Sequence, residues 1–130
     1  MDPIADLLSI IKNGYLAGKP EVAVSFSRSK EAIVKILIDN QYLTGYVIQG
    51  KTVQEKQLVI KLKYDAKGKP AVRQVKRVSK PSLRHYVKAG KVPVVLSGYG
   101  MSILTTSKGI MSSKRAWKNK LGGEIICEVY

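Results

Sequence analysis

Asp65-Ala66-Lys67-Gly68-Lys69-Pro70 is the stretch on which the reading of this chain turns. An acid, two lysines, a glycine and a proline stand together with no large apolar side chain. Glycine opens the left-handed backbone region and proline breaks ladder or helix hydrogen bonding, so such a cluster predicts a turn and a boundary. The expected organisation is α+β, in two small packed α/β domains spanning residues 1–64 and 65–130. The first is read as α-β-α-β-β. The second is strand-rich with short helices.

Back from the boundary, Leu58 to Leu62 and Leu43 to Ile48 read as two strands of a hairpin around Gly50. Ahead of them, Ile33, Ile36, Leu37 and Asn40 fall on one face of a helix that Ser27 or Ser29 could cap. Val22, Val24 and Phe26 alternate with small residues, as in a strand. Ile4, Leu7, Leu8, Ile11 and Tyr15 recur at helical spacing behind Asp2-Pro3, an N-cap followed by proline at the first helical position. Gly14 is expected to loosen that helix and Gly18 to end it.

Forward from the boundary, Val72, Val75 and Val78 are spaced by three, which suits only an irregular or bulged strand. Lys80-Pro81-Ser82 predicts a turn and Leu83 to Val87 a short strand. Pro93 could open a brief helix ending near Gly98. Met101 to Thr106 and Glu124 to Tyr130 predict strands. Between them Ser112 or Ser113 could cap a short basic helix ending near Gly122-Gly123.

Charge is divided unevenly by this boundary. The chain carries 23 Lys and Arg against 9 Asp and Glu, a net +14. Residues 1–64 hold nine basic and six acidic side chains, a net +3; residues 65–130 hold fourteen and three, a net +11. Positive charge so concentrated repels itself in a compact fold and points to a polyanionic partner, with nucleic acid ahead of an anionic membrane surface. No apolar run approaches the ~18 to 20 residues of a spanning helix. The first helix, with two acids and only Lys12 as a base, does not resemble an export or transit segment. The expected location is the cytosol, or an organelle whose targeting segment is absent here, and no membrane partner is expected.

Catalysis finds little support. His85, the single histidine, stands near Arg84 and Lys88 with no carboxylate nearby in sequence to orient it, and reads as a surface or strand residue. Glu124 and Glu128 lie four apart on a predicted strand, hence on one face, but no metal-ligand pattern joins them. Gly98-Tyr99-Gly100 and Thr106-Ser107-Lys108-Gly109 do not have the order of a phosphate-binding P-loop. Cys127 is the sole cysteine, in an apolar run, and reads as a small buried hydrophobe rather than a reactive thiol. No enzyme, cofactor or metal is expected.

Binding chemistry is better served. In Leu104-Thr105-Thr106-Ser107-Lys108-Gly109 an apolar strand runs into three hydroxyls, a cation and a glycine. Hydroxyls can donate or accept at a base edge, a ribose 2′-OH or a phosphate, and glycine permits close backbone approach. An ordinary polar turn has the same composition. Lys114-Arg115-Ala116-Trp117-Lys118-Asn119-Lys120 sets four cations around one aromatic. If helical, it places Lys114 with Lys118 and Arg115 with Asn119, and Trp117 is expected to anchor the helix on the core rather than stack on a base. Lys76, Arg77, Lys80 and Arg84, beside Tyr86, form a second basic cluster. Ser27-Arg28-Ser29-Lys30 offers a helix start with two cations, suited to a phosphate or to capping alone.

The order of Asp2-Pro3-Ile4-Ala5-Asp6, Asn13-Gly14, Arg77-Val78-Ser79-Lys80-Pro81, Gly98-Tyr99-Gly100-Met101, Thr106-Ser107-Lys108-Gly109 and Gly122-Gly123-Glu124-Ile125-Ile126-Cys127 resembles bacterial-type small-subunit ribosomal protein eight, from Asp2 to Tyr130. That resemblance implies two packed α/β domains and direct, early binding to a helical element in the central domain of small-subunit ribosomal RNA. It implies neighbouring small-subunit ribosomal proteins as partners, a ribosome-associated location and, in some bacteria, repression through the operon's own messenger RNA. It implies contacts from the loop Thr105, Thr106, Ser107, Lys108 and Gly109, from the turn Gly123-Glu124, and from Ser27, Arg28 and Lys30. The residues add Lys80, Arg84, Tyr86 and Lys114. The chain departs from the family pattern in Ser82, His85 and Thr105, and in its short helix, where Ser113 stands for an acidic cap and Arg115 for a glutamate.

Overall fold

The computed structural model describes residues 3–80, 82–93 and 100–130. The chain forms two compact units, Met1–Val72 and Arg73–Tyr130. In the first, the order is α1 (Pro3–Leu16), β1 (Glu21–Ser25), α2 (Arg28–Asp39), β2 (Leu43–Gln49) and β3 (Gln57–Leu62). The strands make an antiparallel sheet in the order β1-β3-β2. Central β3 buries Leu58, Val59, Ile60 and Leu62, while the helices contribute Leu7, Leu8, Ile11, Tyr15, Ile33, Val34 and Leu37.

The helical face of α1 is as its spacing predicts; the expected cap at Asp2 lies outside the described residues. Its end is built by Gly18 at φ +68°, with Gly18 N–H donating to Tyr15 O and Lys19 N–H to Gly14 O. These two bonds satisfy the last carbonyls of the helix. Gly14 does something other than loosen the helix. A Cβ there would stand 2.5 Å from Val22 Cγ1, so the missing side chain lets α1 lie close on β1.

The cluster at 65–70 is a turn, yet it folds back instead of leading away. Asp65 Oδ1 accepts from Lys67 N–H and Lys69 N–H, both at 2.8 Å, and Tyr64 pairs with Pro70. Ala71 N–H then donates to Lys63 O. These bonds hold the turn on the first unit, so the division falls after Val72, eight residues later than residue 64.

The second unit contains β4 (Val75–Arg77), β5 (Tyr86–Val87), β6 (Met101–Thr106), β7 (Gly109–Ser112), α3 (Ser113–Lys118) and β8 (Gly123–Val129). Its sheet runs β4-β8-β6-β7, with β5 also paired to β8. The valines spaced by three yield only a three-residue β4. The strand expected over Leu83–Val87 shrinks to two residues, preceded by a bridge between Lys80 and Leu83. The brief helix expected from Pro93 toward Gly98 falls on residues 94–99, outside the described residues. Helix α3 is capped by Ser112, whose hydroxyl accepts from Arg115 N–H at 3.3 Å. Ser113 is therefore the first helical residue and not the cap. The helix stops at Asn119, short of Gly122-Gly123, because Lys120 turns to φ +55°. Leu104, Met111, Ala116, Ile125 and Val92 pack as one buried cluster.

A bulge changes the faces of β8. Leu104 pairs with Ile125 but Ile103 pairs with Cys127, leaving Ile126 as the extra residue. Such an insertion reverses the alternation beyond it. Glu124 pairs with Thr105 and Glu128 with Ser102, three residues apart on β6. The two glutamates consequently lie on opposite faces, not on one as their spacing of four suggested.

Candidate functional site

Thr105 to Gly109 forms the tip of the β6–β7 hairpin. Thr106 pairs with Gly109, and Ser107-Lys108 make a two-residue turn. Gly109 at φ +109° takes the backbone conformation the turn demands. The Thr106 hydroxyl donates to Gly109 O at 2.8 Å and accepts from Lys108 N–H at 3.1 Å. It is consumed in building the turn. Thr105, Ser107 and Lys108 are exposed, and among the described residues neither the Thr105 nor the Ser107 hydroxyl has an internal partner. Two hydroxyls and one ammonium are thus exposed at a tip whose turn the Thr106 hydroxyl braces.

Register brings residues far apart in sequence into line. Tyr86 on β5 pairs with Glu124 on β8, which pairs with Thr105 on β6, which pairs with Ile110 on β7. Directly paired residues share a sheet face, so these four make a cross-strand row ending beside the turn. Tyr86 is 71% exposed. Arg84 Nη1 donates to Glu124 Oε2 at 3.1 Å, as an ion pair with the Arg84 side chain half exposed. Partly solvated, this pair contributes little stability but aims the guanidinium along the row, leaving other N–H groups for an acceptor.

Gly123 has a steric reason. A Cβ there would lie 2.1 Å from Thr105 O, while one on Gly122 would lie 2.4 Å from Val87 O. The Gly-Gly pair lets β8 enter between β5 and β6. Gly123 thereby sets the distance between Glu124 and Thr105.

Ser79, quoted above only within a family motif and given no role of its own, anchors the chain before β5. It is buried, its hydroxyl accepts from His85 N–H at 2.9 Å, and His85 O accepts from Ile125 N–H. Lys80 and Arg84 are thereby presented on an anchored, exposed loop. The His85 residue itself is exposed, as expected of a surface position.

Beside the hairpin tip a depression of about 370 Å³ is lined by Lys108, Ile110, Met111, Arg115, Asn119 and Leu121. Arg115 and Asn119 belong to the basic helix, but only the fold places them next to Lys108. Lys114 is exposed on the same helix. Trp117 meets its expectation in part. Its indole N–H donates to Val92 O at 2.9 Å, so it anchors the helix, yet 45% of it stays exposed.

In the first unit, Ser27 caps α2 by accepting from Lys30 N–H at 3.2 Å, and Arg28 is exposed. Lys30 departs from the expected surface cation. It is 4% exposed, and its ammonium donates to Ser25 O at 3.1 Å and Ser25 Oγ at 2.9 Å. Its charge is spent on holding the β1–α2 connection.

Reactive groups are scarce. Among the described residues no three His, Cys, Asp or Glu side chains gather as metal ligands, and no helix is long and apolar enough to cross a membrane. Cys127 is fully buried, and burial pushes its thiol up to about 12, where it stays protonated and inert. Residues 73–130 carry twelve basic and two acidic side chains, a net +10, against +4 for residues 1–72. The unit that carries the row is thus strongly cationic.

Residues 2–130 match the family model described as ribosomal protein S8. The chain is 45% identical over 129 residues to small ribosomal subunit protein uS8 of Mycoplasmopsis synoviae, covering 99% of this chain and 97% of that one. It is 46% identical to the protein of that name from Sulfurihydrogenibium over 133 residues, covering 99% and 98%. The corresponding protein of Flavobacterium johnsoniae is 43% identical over 130 residues, with the same coverage.

Proposed function

The chain belongs to the ribosomal protein S8 family, a family of structural ribosomal proteins and not of enzymes, and from that premise we propose that it binds small-subunit ribosomal RNA directly and helps the small subunit assemble. The RNA element is a folded helix in the central domain. Neighbouring small-subunit proteins complete its surroundings, and its place is the cytoplasm, on the ribosome.

The observation that carries this reading is the row Tyr86-Glu124-Thr105 ending at the exposed Ser107-Lys108 turn. A-form RNA shows its 2′-hydroxyls and base edges in a wide, shallow minor groove. Fixed hydroxyls and a carboxylate can exchange hydrogen bonds there, while Tyr86 offers an aromatic face. Lys108, Lys80, Arg84 and Lys114 supply affinity through phosphates without reading sequence. In the first unit, Arg28 and the start of α2 at Ser27 offer a cation and free N–H groups to a phosphate, while Lys30 acts indirectly by holding that start in place.

The same groups read shape more than base identity. A messenger segment folded into a similar helix would fit them, which supports repression of the protein's own operon as a second role. Crosslinking in cells followed by sequencing of the RNA bound to the intact chain tests both. The expected result is one dominant site within a central-domain helix of small-subunit ribosomal RNA, with a minor operon signal if the second role holds. Reads spread evenly over cellular RNA would remove the ribosomal reading.

A further inference from the structure

Helix α3 presents an aromatic ring, Trp117, and a cation, Lys118, that the helix contacts proposed above do not use. Trp117 is the chain's single tryptophan. The bond from its indole N–H to Val92 O fixes one edge of the ring while 45% of the residue stays exposed. Lys114 and Lys118, four residues apart and both exposed, are neighbours on the helix surface. With Ser112, Arg115 and Asn119 they line an open depression of about 670 Å³. Arg115 and Asn119 also line the depression that reaches Lys108. The surface is therefore continuous from the hairpin tip to the end of α3.

Among the described residues no acid lines either depression, and α3 contains none. Among the described residues none of Lys108, Lys114, Arg115 and Lys118 has an acidic partner. A pinned, partly exposed aromatic on the same helix as uncompensated cations suits single-stranded RNA. Every base has a π-face to stack, and each nucleotide brings a phosphate to the track. A protein partner is less well served, because Lys108, Lys114 and Lys118 stand on the walls and lysine is depleted at protein interfaces.

We propose that α3 is a platform for a single-stranded RNA segment. One base stacks on Trp117, its flanking phosphates meet Lys114 and Lys118, and the strand continues over Arg115 and Asn119 toward Lys108. The platform rests on the RNA-binding reading of the chain; it shares Lys108 and Lys114 with the helix contacts, while Trp117 and Lys118 are its own.

The test uses the intact chain, a fluorescein-labelled twelve-nucleotide oligouridylate and a labelled central-domain RNA helix. Wild type should bind the oligouridylate with salt-dependent affinity and show saturable quenching of Trp117 fluorescence. Trp117→Leu should weaken oligouridylate binding about tenfold, as loss of one stacked base does. Its affinity for the RNA helix should change by less than about twofold, because phosphate and groove contacts remain. Lys114→Gln with Lys118→Gln should lower the salt slope for oligouridylate by about 1.4, from two phosphates at ~0.7 each. Should Trp117→Leu fail to fold by circular dichroism, the double glutamine variant and Trp117→Phe, which keeps a stacking ring, carry the test. Absence of saturable quenching, or wild-type affinity in the charge variant, overturns the platform. So does an equal loss of affinity for the RNA helix in Trp117→Leu, which makes the ring part of the helix-reading surface, and so does unchanged RNA affinity coupled to failed incorporation into subunits, which assigns the face to a protein. Failure of the helix to bind wild type, with oligouridylate behaving as expected, removes the helix-reading function and leaves the platform standing.

Discussion

Helices α2 and α3 begin alike and end up doing different things. Each follows a strand, and each has a serine cap whose hydroxyl accepts from the N–H three residues on, Ser27 from Lys30 and Ser112 from Arg115. In α2 the third helical residue, Lys30, is buried and reaches back to Ser25. In α3 the corresponding Arg115 is exposed, and the buried polar anchor is the first helical residue, Ser113, whose hydroxyl accepts from Ser102 N–H at 3.1 Å. Two serine-capped, cation-bearing starts thus divide their labour oppositely. One spends a cation on architecture; the other spends a hydroxyl and keeps its cations outside. A basic residue at a helix start is therefore not by itself a ligand contact. What the rest of the turn is anchored by decides it.

The two units also differ in how firmly their glycines are required, and this gives the largest expected effect. Gly123→Ala drives a Cβ to 2.1 Å from a backbone oxygen, and Gly14→Ala drives one to 2.5 Å from the Val22 side chain. A side chain can rotate, whereas a paired strand cannot. Gly123→Ala should cost at least the ~1–3 kcal/mol typical of overpacking, and Gly14→Ala less. Urea unfolding of both variants checks the order. Equal losses would mean that the second sheet can spread to admit a methyl group.

Next in size is Lys30→Met, which keeps the apolar stem and removes the ammonium. Loss of two charge-assisted hydrogen bonds at the buried end should cost about 1–3 kcal/mol. The equivalent change on α3, Lys114→Met, should lie within about 0.5 kcal/mol of wild type, as exposed substitutions do. Thermal unfolding separates them. If Lys30→Met unfolds like wild type, the contrast between the two helix starts collapses.

Much of this architecture was legible in the sequence, for reasons that differ by element. The apolar spacing of Leu7, Leu8, Ile11 and Tyr15 and the alternation around Val24 are strong local signals, and they found α1 and β1. Ser27 and Gly18 marked real helix ends. The strand β7 was missed because Gly109-Ile110-Met111-Ser112 neither alternates nor favours β structure; its pairing with β6 makes it a strand. The bulge at Ile126 leaves no mark in composition, so the opposite faces of Glu124 and Glu128 could not be read from spacing. The fate of Lys30 depends on Ser25, which lies across a helix cap from it. The row Tyr86-Glu124-Thr105 exists only through register, although each member was singled out separately.

The hairpin turn allows a sharper comparison, between hydroxyls inside it and outside it. Thr106 already spends its hydroxyl on Gly109 and Lys108, whereas Ser107 is exposed. Ser107→Ala should therefore leave stability unchanged and weaken cognate RNA by about 1–3 kcal/mol, with unrelated RNA much less affected. Thr106→Ala should lower stability first and weaken RNA binding only through the altered turn. Filter binding beside unfolding curves reads both quantities. Equal losses on both RNAs for Ser107→Ala would take the turn out of the specificity argument.

The smallest effect concerns the two outward cations of the helix starts, Arg28 and Lys114, both exposed. Each is expected to meet a phosphate and none of the base edges. Replacing either by Ala should lower the slope of log affinity against log salt by about 0.7–0.9 and leave discrimination between cognate and altered RNA nearly intact. Lys30→Met serves as the control, because its ammonium already faces Ser25. It should lose stability with little change in slope, provided binding is measured well below its unfolding transition. The three variants together separate two explanations of the same drop in affinity. A lost phosphate contact changes the slope at constant stability; a disordered helix start changes stability and weakens binding at every salt concentration. If Arg28→Ala keeps the wild-type slope while Lys114→Ala lowers it, contact with RNA is confined to the second unit. The serine-capped start of α2 is then architecture alone, and the two helix starts differ more than their shared cap suggests.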